Sequence, residues 1–77
     1  MYSFISGKVA EKNPAYVVID NHGVGYLINI TLNTFTSIGD QTEVKLYVHF
    51  AIREDAHTLY GFYTEEERSL FLQLITV

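Results

Sequence analysis

Apolar and polar residues alternate along most of the chain, and the alternation is clearest between residues 43 and 53. Within this segment every second side chain is apolar, and most of the side chains between them are polar or charged. A period of two is typical of a β-strand that buries one face and exposes the other. We therefore predict a strand over 43–53 whose buried face carries Val44, Leu46, Val48, Phe50 and Ile52.

Four further segments show a strand pattern, and turn residues separate them. They span residues 2–11, 15–20, 24–31 and 58–63. Asn13-Pro14 marks a turn after the first, and Asn21-His22-Gly23 predicts a hairpin in which Gly23 takes a positive φ. Gly7 lies inside the first strand, where it predicts a bulge or bend of the kind that a small barrel needs to curl.

The hydrophobic period changes from strand-like to helical after residue 63. Thr64 followed by Glu67 forms a capping box, which predicts a helix that begins after Thr64. Apolar residues then recur at helical spacing in one stripe, made of Leu70, Phe71, Leu74 and Ile75. No Gly, Asn or Pro ends this helix before Val77, so we expect the chain to be the front part of a longer protein.

Five short strands and a helix predict a mainly β fold, a five-stranded OB-fold barrel with a C-terminal helix. Residues 32–42 are rich in Thr, Asn and Ser and predict a loop with one short helical turn near 32–36. We assign residues 1–63 to the barrel and 64–77 to a helix that packs on it or leads out of it. A small sandwich or an SH3-like barrel fits the same pattern, and the pattern alone leaves both open.

Composition narrows the classes of function. The 77 residues contain no Cys, which excludes disulfides and agrees with a reducing cytosol. His22, His49 and His57 are too scattered to predict a metal site, and we expect no cofactor. No apolar run reaches membrane-spanning length. The formal net charge of −4 argues against a freestanding nucleic-acid binder, which would normally carry a basic patch.

The conspicuous chemistry lies at one hairpin end. Gly23-Val24-Gly25 lacks the third glycine and the following helix of a dinucleotide fingerprint, so we interpret it as a turn plus a glycine that admits a neighbouring backbone. No serine has the surroundings of a catalytic nucleophile. Glu54 and Asp55 concentrate charge after the best-defined strand. They indicate either a solvated turn or a charged projection that repels or steers a polyanion.

Tyrosine is abundant, with 6 residues in the chain. Exposed aromatic rings on an OB-type barrel can stack on bases. In a barrel this small they more often complete the core or pack an interface. Because few basic residues are available, we interpret the tyrosines as core and interface residues, and keep a weak single-strand binder as an alternative.

Several segments together resemble the N-terminal domain of the RuvA family, the bacterial Holliday-junction recognition subunit of the branch-migration machinery. The resemblance runs over essentially the whole chain, and smaller matches include Gly7, Val9 and Glu67-Arg68-Ser69-Leu70-Phe71. Its most specific segments are Gly23-Val24-Gly25-Tyr26, His49-Phe50-Ala51-Ile52-Arg53-Glu54-Asp55-Ala56 and Leu59-Tyr60-Gly61-Phe62.

The resemblance implies a non-catalytic OB-fold domain that assembles into a homotetramer and binds four-way junction DNA during recombination and repair in the cytoplasm. It implies that Glu54 and Asp55, flanked by Arg53, are the family's acidic pin, which repels phosphates and helps to part strands at the junction centre. The RuvB ATPase and the RuvC nuclease are the implied partners of the full-length protein. A membrane is not among them.

Two departures from the family pattern qualify this implication. The family's helix-hairpin-helix grip and its RuvB-binding domain lie outside these 77 residues. Some members carry Arg among residues 3–6, where this chain has Ser3-Phe4-Ile5-Ser6. A purely structural oligomerisation barrel, whose acidic hairpin has no specific role, therefore stays open as an alternative.

Overall fold

The computed structural model describes residues 3–52 and 57–75, with side chains in these ranges up to Leu74. Five strands and two helices make up the described chain, and each strand overlaps its predicted segment. In chain order the elements are β1 (Phe4–Lys12), β2 (Tyr16–Asn21), β3 (Val24–Ile30), α1 (Leu32–Ile38), β4 (Glu43–Ile52), β5 (His57–Phe62) and α2 (Glu65–Ile75).

The strands close into a barrel in the order β1-β2-β3-β5-β4. Antiparallel ladders join β1 to β2 and β4, β2 to β3, and β4 to β5. The barrel closes where β3 and β5 run parallel and pair at Asn29↔Tyr60 and Ile30↔Gly61. The Asn29 amide reinforces this short ladder by donating to the Leu59 carbonyl at 3.2 Å. This closed order, with a helix between β3 and β4, is that of an OB-fold and confirms the predicted fold class.

The core fills the barrel with side chains from four strands and α1. On β4, Val44, Leu46 and Val48 point inward, as the alternation predicts. The predicted buried face ends earlier than expected, because Phe50 is only half-buried and Ile52 is 68% exposed. The core residues are Ile5, Val17, Ile19, Ile28, Ile38, Val44, Leu46 and Val48.

Gly7 has a different role from the predicted one. The register between β1 and β2 shifts between Val9 and Glu11, so the irregularity of β1 lies there and not at Gly7. At Gly7 a Cβ atom would lie 2.4 Å from the carbonyl oxygen of Asp20. The absence of a side chain therefore lets the backbones of β1 and β2 approach each other closely.

The hairpin between β2 and β3 confirms the turn prediction. Asn21 pairs with Val24, which leaves His22 and Gly23 as a two-residue loop with φ values of 51° and 90°. Positive φ at both positions matches the right-handed twist of the flanking strands. Gly25 does not admit a neighbouring backbone as interpreted above, because the nearest atom to a Cβ there is Val18 Cγ1 at 3.5 Å.

Helix α1 extends the single turn predicted near 32–36 to seven residues. The Thr31 hydroxyl accepts a hydrogen bond from the Thr34 N–H at 3.1 Å, which caps the helix N-terminus. Gly39 ends the helix with φ 56° and donates its N–H to the Phe35 carbonyl at 3.2 Å. The helix contributes the buried Thr34 and Ile38 to the interior.

Helix α2 begins where the capping box predicts. The Thr64 hydroxyl accepts from the Glu67 N–H at 3.2 Å and donates to the Glu67 carboxylate at 3.3 Å. The predicted apolar stripe needs correction, because Leu70 and Leu74 are 59% and 69% exposed. Phe71 is the stripe residue whose ring contacts the barrel, and Arg68, one turn earlier, shares its face.

Candidate nucleic-acid interface

The hairpin formed by β4 and β5 extends beyond the packed part of the barrel. Its last three cross-strand pairs are Phe50↔Leu59, Ala51↔Thr58 and Ile52↔His57. The Phe50 and His57 rings meet edge to face with centroids 5.5 Å apart. Ile52 and His57 are exposed, so the paired strands reach solvent at this end of the ladder.

The predicted site residues Arg53, Glu54 and Asp55 lie outside the described residues, together with Ala56. These four residues connect Ile52 to His57. The structure therefore describes the paired base that carries the candidate site and leaves the site residues themselves as a prediction.

Helix α2 supports the outer side of this base. Phe71 lies 6.0 Å from His49 and 5.3 Å from Tyr60, measured between ring centroids, and these two residues pair across β4 and β5. Phe71 also contacts the buried Phe62 ring at 5.0 Å. Aromatic packing on one face and the strand ladder within it make the base of the hairpin a firm support.

Arg68 makes the second connection between α2 and the barrel. Its Nη1 donates to the Ser3 carbonyl at 2.6 Å, and its guanidinium lies 5.5 Å from the Tyr47 ring centroid. No role for Arg68 was predicted from pattern, although it lies in the segment Glu67-Arg68-Ser69-Leu70-Phe71 that supports the resemblance. The spacing of three residues between Arg68 and Phe71 was the available indication, because it places both side chains on the same face of a helix.

The described cations do not gather into one basic patch. The Lys12 ammonium donates to the Gly39 carbonyl and lies over the Phe35 ring. Lys45 lies 4.5 Å from the Phe4 ring centroid and 5.2 Å from that of Tyr47. Three of the four described basic side chains thus lie over aromatic rings, and only Lys45 and Arg68 share one, the ring of Tyr47.

The five described tyrosines are half-buried, which favours packing over an exposed stacking surface. The Tyr16 hydroxyl donates to the Glu11 carboxylate at 2.6 Å, and the Gln41 amide donates to the Tyr63 hydroxyl at 3.0 Å. The hydrogen bond to Glu11, together with the negative charge of that carboxylate, raises the pKa of Tyr16. Tyr26 and Tyr63 pack against the core.

A surface groove of about 670 Å³ lies at the other end of β4. Its lining combines Lys8 and Lys45 with Asp20 and Glu43. This mixture of charges gives no preference for a polyanion. Within residues 3–52 and 57–75, no group of three or more His, Asp or Glu side chains could hold a metal ion.

Comparison with known proteins decides the family. The model of the RuvA N-terminal domain matches residues 1–61. This chain belongs to the RuvA N-terminal domain family. The match covers the barrel strands up to Gly61 in β5 and ends before α2.

Curated relatives extend the likeness to every residue of the chain. It is 52% identical over 77 residues to the Holliday junction branch migration complex subunit RuvA of Bacteroides fragilis. It is 49% identical to the subunits of the same name from Christiangramia forsetii and Lactococcus lactis subsp. cremoris. The chain spans 38–40% of the length of these relatives. Neither helix in the described part is long and apolar enough to cross a membrane.

Proposed function

We propose that the chain is the N-terminal scaffold of a Holliday-junction-binding subunit that takes part in branch migration during recombinational DNA repair. Its membership of the RuvA N-terminal domain family carries this proposal. Relatives at about 50% identity over the whole chain are named as branch migration complex subunits, which supports it.

The proposed working part is the acidic pin, Glu54 and Asp55, flanked by Arg53. The exposure of Ile52 at the end of the β4–β5 ladder, and the packing of Phe71 on the base of that ladder, support this assignment. Two carboxylates on such a support would repel backbone phosphates. At 4 Å the repulsion between unit charges is about 1 kcal/mol in water and about 4 kcal/mol near a protein surface. It acts on phosphates of any sequence, as branch migration requires.

The proposed assembly is a homotetramer that surrounds the centre of a four-way junction with four pins. Exposed apolar residues away from the hairpin, including Val24 and Leu27 on β3, support a role in contacts between subunits. The net charge of −4 fits a division of labour in which other parts of the subunit grip DNA. The proposed partners there are the RuvB ATPase, which supplies ATP hydrolysis, and the RuvC nuclease, in the cytoplasm.

Neutralising the pin in the full-length subunit tests the proposal. In Glu54→Gln/Asp55→Asn, each subunit loses two negative charges while the side-chain shapes are nearly kept. We expect junction binding to be retained or tightened, because repulsion falls, and the rate of RuvB-driven branch migration to change. Gel-shift titration and a strand-displacement time course measure the two quantities.

The matched control is Asp40→Asn/Glu43→Gln. It makes the same chemical change at two exposed positions near the other end of β4, roughly 30 Å along the strand from Ile52. An unchanged migration rate in the pin variant, or an equal change in the control, would contradict a specific role of the pin.

A further inference from the structure

Helix α2 contacts the barrel through side chains on one of its faces, and two of these contacts can be described in detail. The helix has 11 residues, a length at which an isolated helix is marginal in water. Leu70 and Leu74 point to solvent. The orientation of α2 therefore depends on the side chains that do reach the barrel, among them Phe71 and Arg68.

Phe71 and Arg68 differ in the kind of restraint that they supply. Phe71 packs on three aromatic rings, which holds the helix against the barrel without a directed hydrogen bond. Arg68 offers a planar fork with fixed donor directions. The hydrogen bond to the Ser3 carbonyl fixes the position of the guanidinium group, and the Tyr47 ring beneath it restricts its orientation.

The acceptor of this hydrogen bond belongs to the barrel framework. The Ser3 carbonyl also accepts the Val48 N–H at 3.1 Å, so it is fixed against β4. Tyr47 is the neighbour of Val48 on the same strand, with its ring on the outer face. The guanidinium of Arg68 thus joins α2 to two points of one rigid ladder.

Two weaker contacts lie beside this connection. Glu65 approaches Arg68 within 4.0 Å from the same helix, so it cannot orient α2 against the barrel. The Asn33 amide donates to the Glu67 carboxylate at 3.3 Å, which is a longer hydrogen bond than the 2.6 Å one from Arg68 to Ser3.

We propose that Arg68 is the positioning residue that fixes the orientation of α2 on the barrel, and through Phe71 its orientation relative to the β4–β5 hairpin. This goes beyond the proposed function and does not depend on it. The family model matches residues 1–61, which hold Ser3 and Tyr47 but not Arg68. The contact of Arg68 with these two residues therefore joins the matched barrel to a helix that the family model does not cover.

The absence of cysteine allows a direct test by paired spin labels. Ala10→Cys on β1 and Leu74→Cys on α2 place labels at exposed sites on the barrel and on the helix. Pulsed electron–electron double resonance then gives the distribution of distances between the two spin labels. Dilution with unlabelled chain removes distances between different molecules.

We expect a single narrow distribution in the labelled parent and a second, displaced population in Arg68→Met. Because this hydrogen bond is exposed to solvent, its loss should lower the ratio of docked to undocked helix by roughly two- to tenfold. Arg68→Lys, which keeps a charge and a donor, should restore part of the narrow population. The matched control is Lys45→Met, because Lys45 also lies over Tyr47 but has no contact with α2 among its described interactions.

Backbone chemical shifts of residues 66–74 and the melting temperature of the barrel distinguish orientation from folding. Positioning by Arg68 requires helical shifts and a near-parental melting temperature together with the altered distances. An unchanged distance distribution in Arg68→Met would overturn the proposal. So would an equal change in Lys45→Met, or loss of the helical shifts, which would make Arg68 a determinant of helix formation instead.

Discussion

The two halves of β4 have the same alternating pattern and opposite surroundings. In the first half Val44, Leu46 and Val48 are at most 7% exposed, because the barrel surrounds them. In the second half the inward positions continue with Phe50 and Ile52, yet Ile52 is 68% exposed. Alternation thus determines which side a residue points to, whereas depth depends on whether other strands extend as far. A hairpin end outside the core is free to carry charge.

The largest expected effect contrasts the two halves directly. Leu46→Ala removes a fully buried side chain and should lower the free energy of unfolding by about 2–5 kcal/mol. Ile52→Ala removes an exposed one and should change it by less than about 0.5 kcal/mol. Urea denaturation followed by far-UV circular dichroism measures both.

A milder core variant covers the case in which Leu46→Ala does not fold. Ile19→Val deletes one methyl group from a fully buried side chain and should cost about 0.5–1.5 kcal/mol. If Ile52→Ala were as destabilising as either core variant, the hairpin end would be part of the core and the comparison would fail.

A second contrast tests how closely the barrel wall is packed. Gly7→Ala would place a methyl group 2.4 Å from the Asp20 carbonyl oxygen, so the strands must shift at a cost of about 1–3 kcal/mol. Gly25→Ala meets only Val18 Cγ1, at an ordinary contact distance of 3.5 Å. It should be neutral or slightly stabilising, because alanine restricts the unfolded chain. Thermal unfolding of the two variants in parallel shows whether this order holds.

The smallest expected effect is a pH dependence of the free energy of unfolding, and it comes from Tyr16 on β2. Because Glu11 raises the pKa of Tyr16 in the folded protein, the folded state holds this proton more tightly than the unfolded state. The resulting stabilisation is present below the unfolded pKa of about 10 and is lost as pH rises through the folded pKa.

Comparison of the parent with Tyr16→Phe isolates this contribution, since the other tyrosines titrate in both proteins. The difference in free energy of unfolding between the two proteins should stay constant from about pH 7 to 9. Above about pH 10 the parent should lose stability relative to Tyr16→Phe. A difference that does not change up to pH 11 would show that the Glu11 contact is broken in solution.

Local rules made much of the fold predictable. Asn21-His22-Gly23 and the Thr64 cap follow from residues adjacent in sequence, and both predictions are confirmed. Helix α1 is longer than the single turn predicted from its Thr, Asn and Ser content, because a cap at Thr31 and a stop at Gly39 define a seven-residue helix.

The remaining features depend on residues distant in sequence. The close approach at Gly7 follows from the register with Asp20, and the contact of Arg68 with Ser3 joins opposite ends of the chain. The exposure of Ile52 depends on how far the neighbouring strands extend. The proposed role of Glu54 and Asp55 rests on family resemblance, since the charge pattern alone favours a solvated turn.

The most direct test of the acidic pin measures whether it parts strands at the junction centre. A four-way junction with 2-aminopurine beside the crossover becomes more fluorescent when that base unstacks. We expect full-length subunits carrying either the parental sequence or Asp40→Asn/Glu43→Gln to raise the fluorescence equally at saturation. Glu54→Gln/Asp55→Asn should bind as tightly and raise it clearly less. Equal fluorescence for all three proteins would contradict the proposal that Glu54 and Asp55 separate strands.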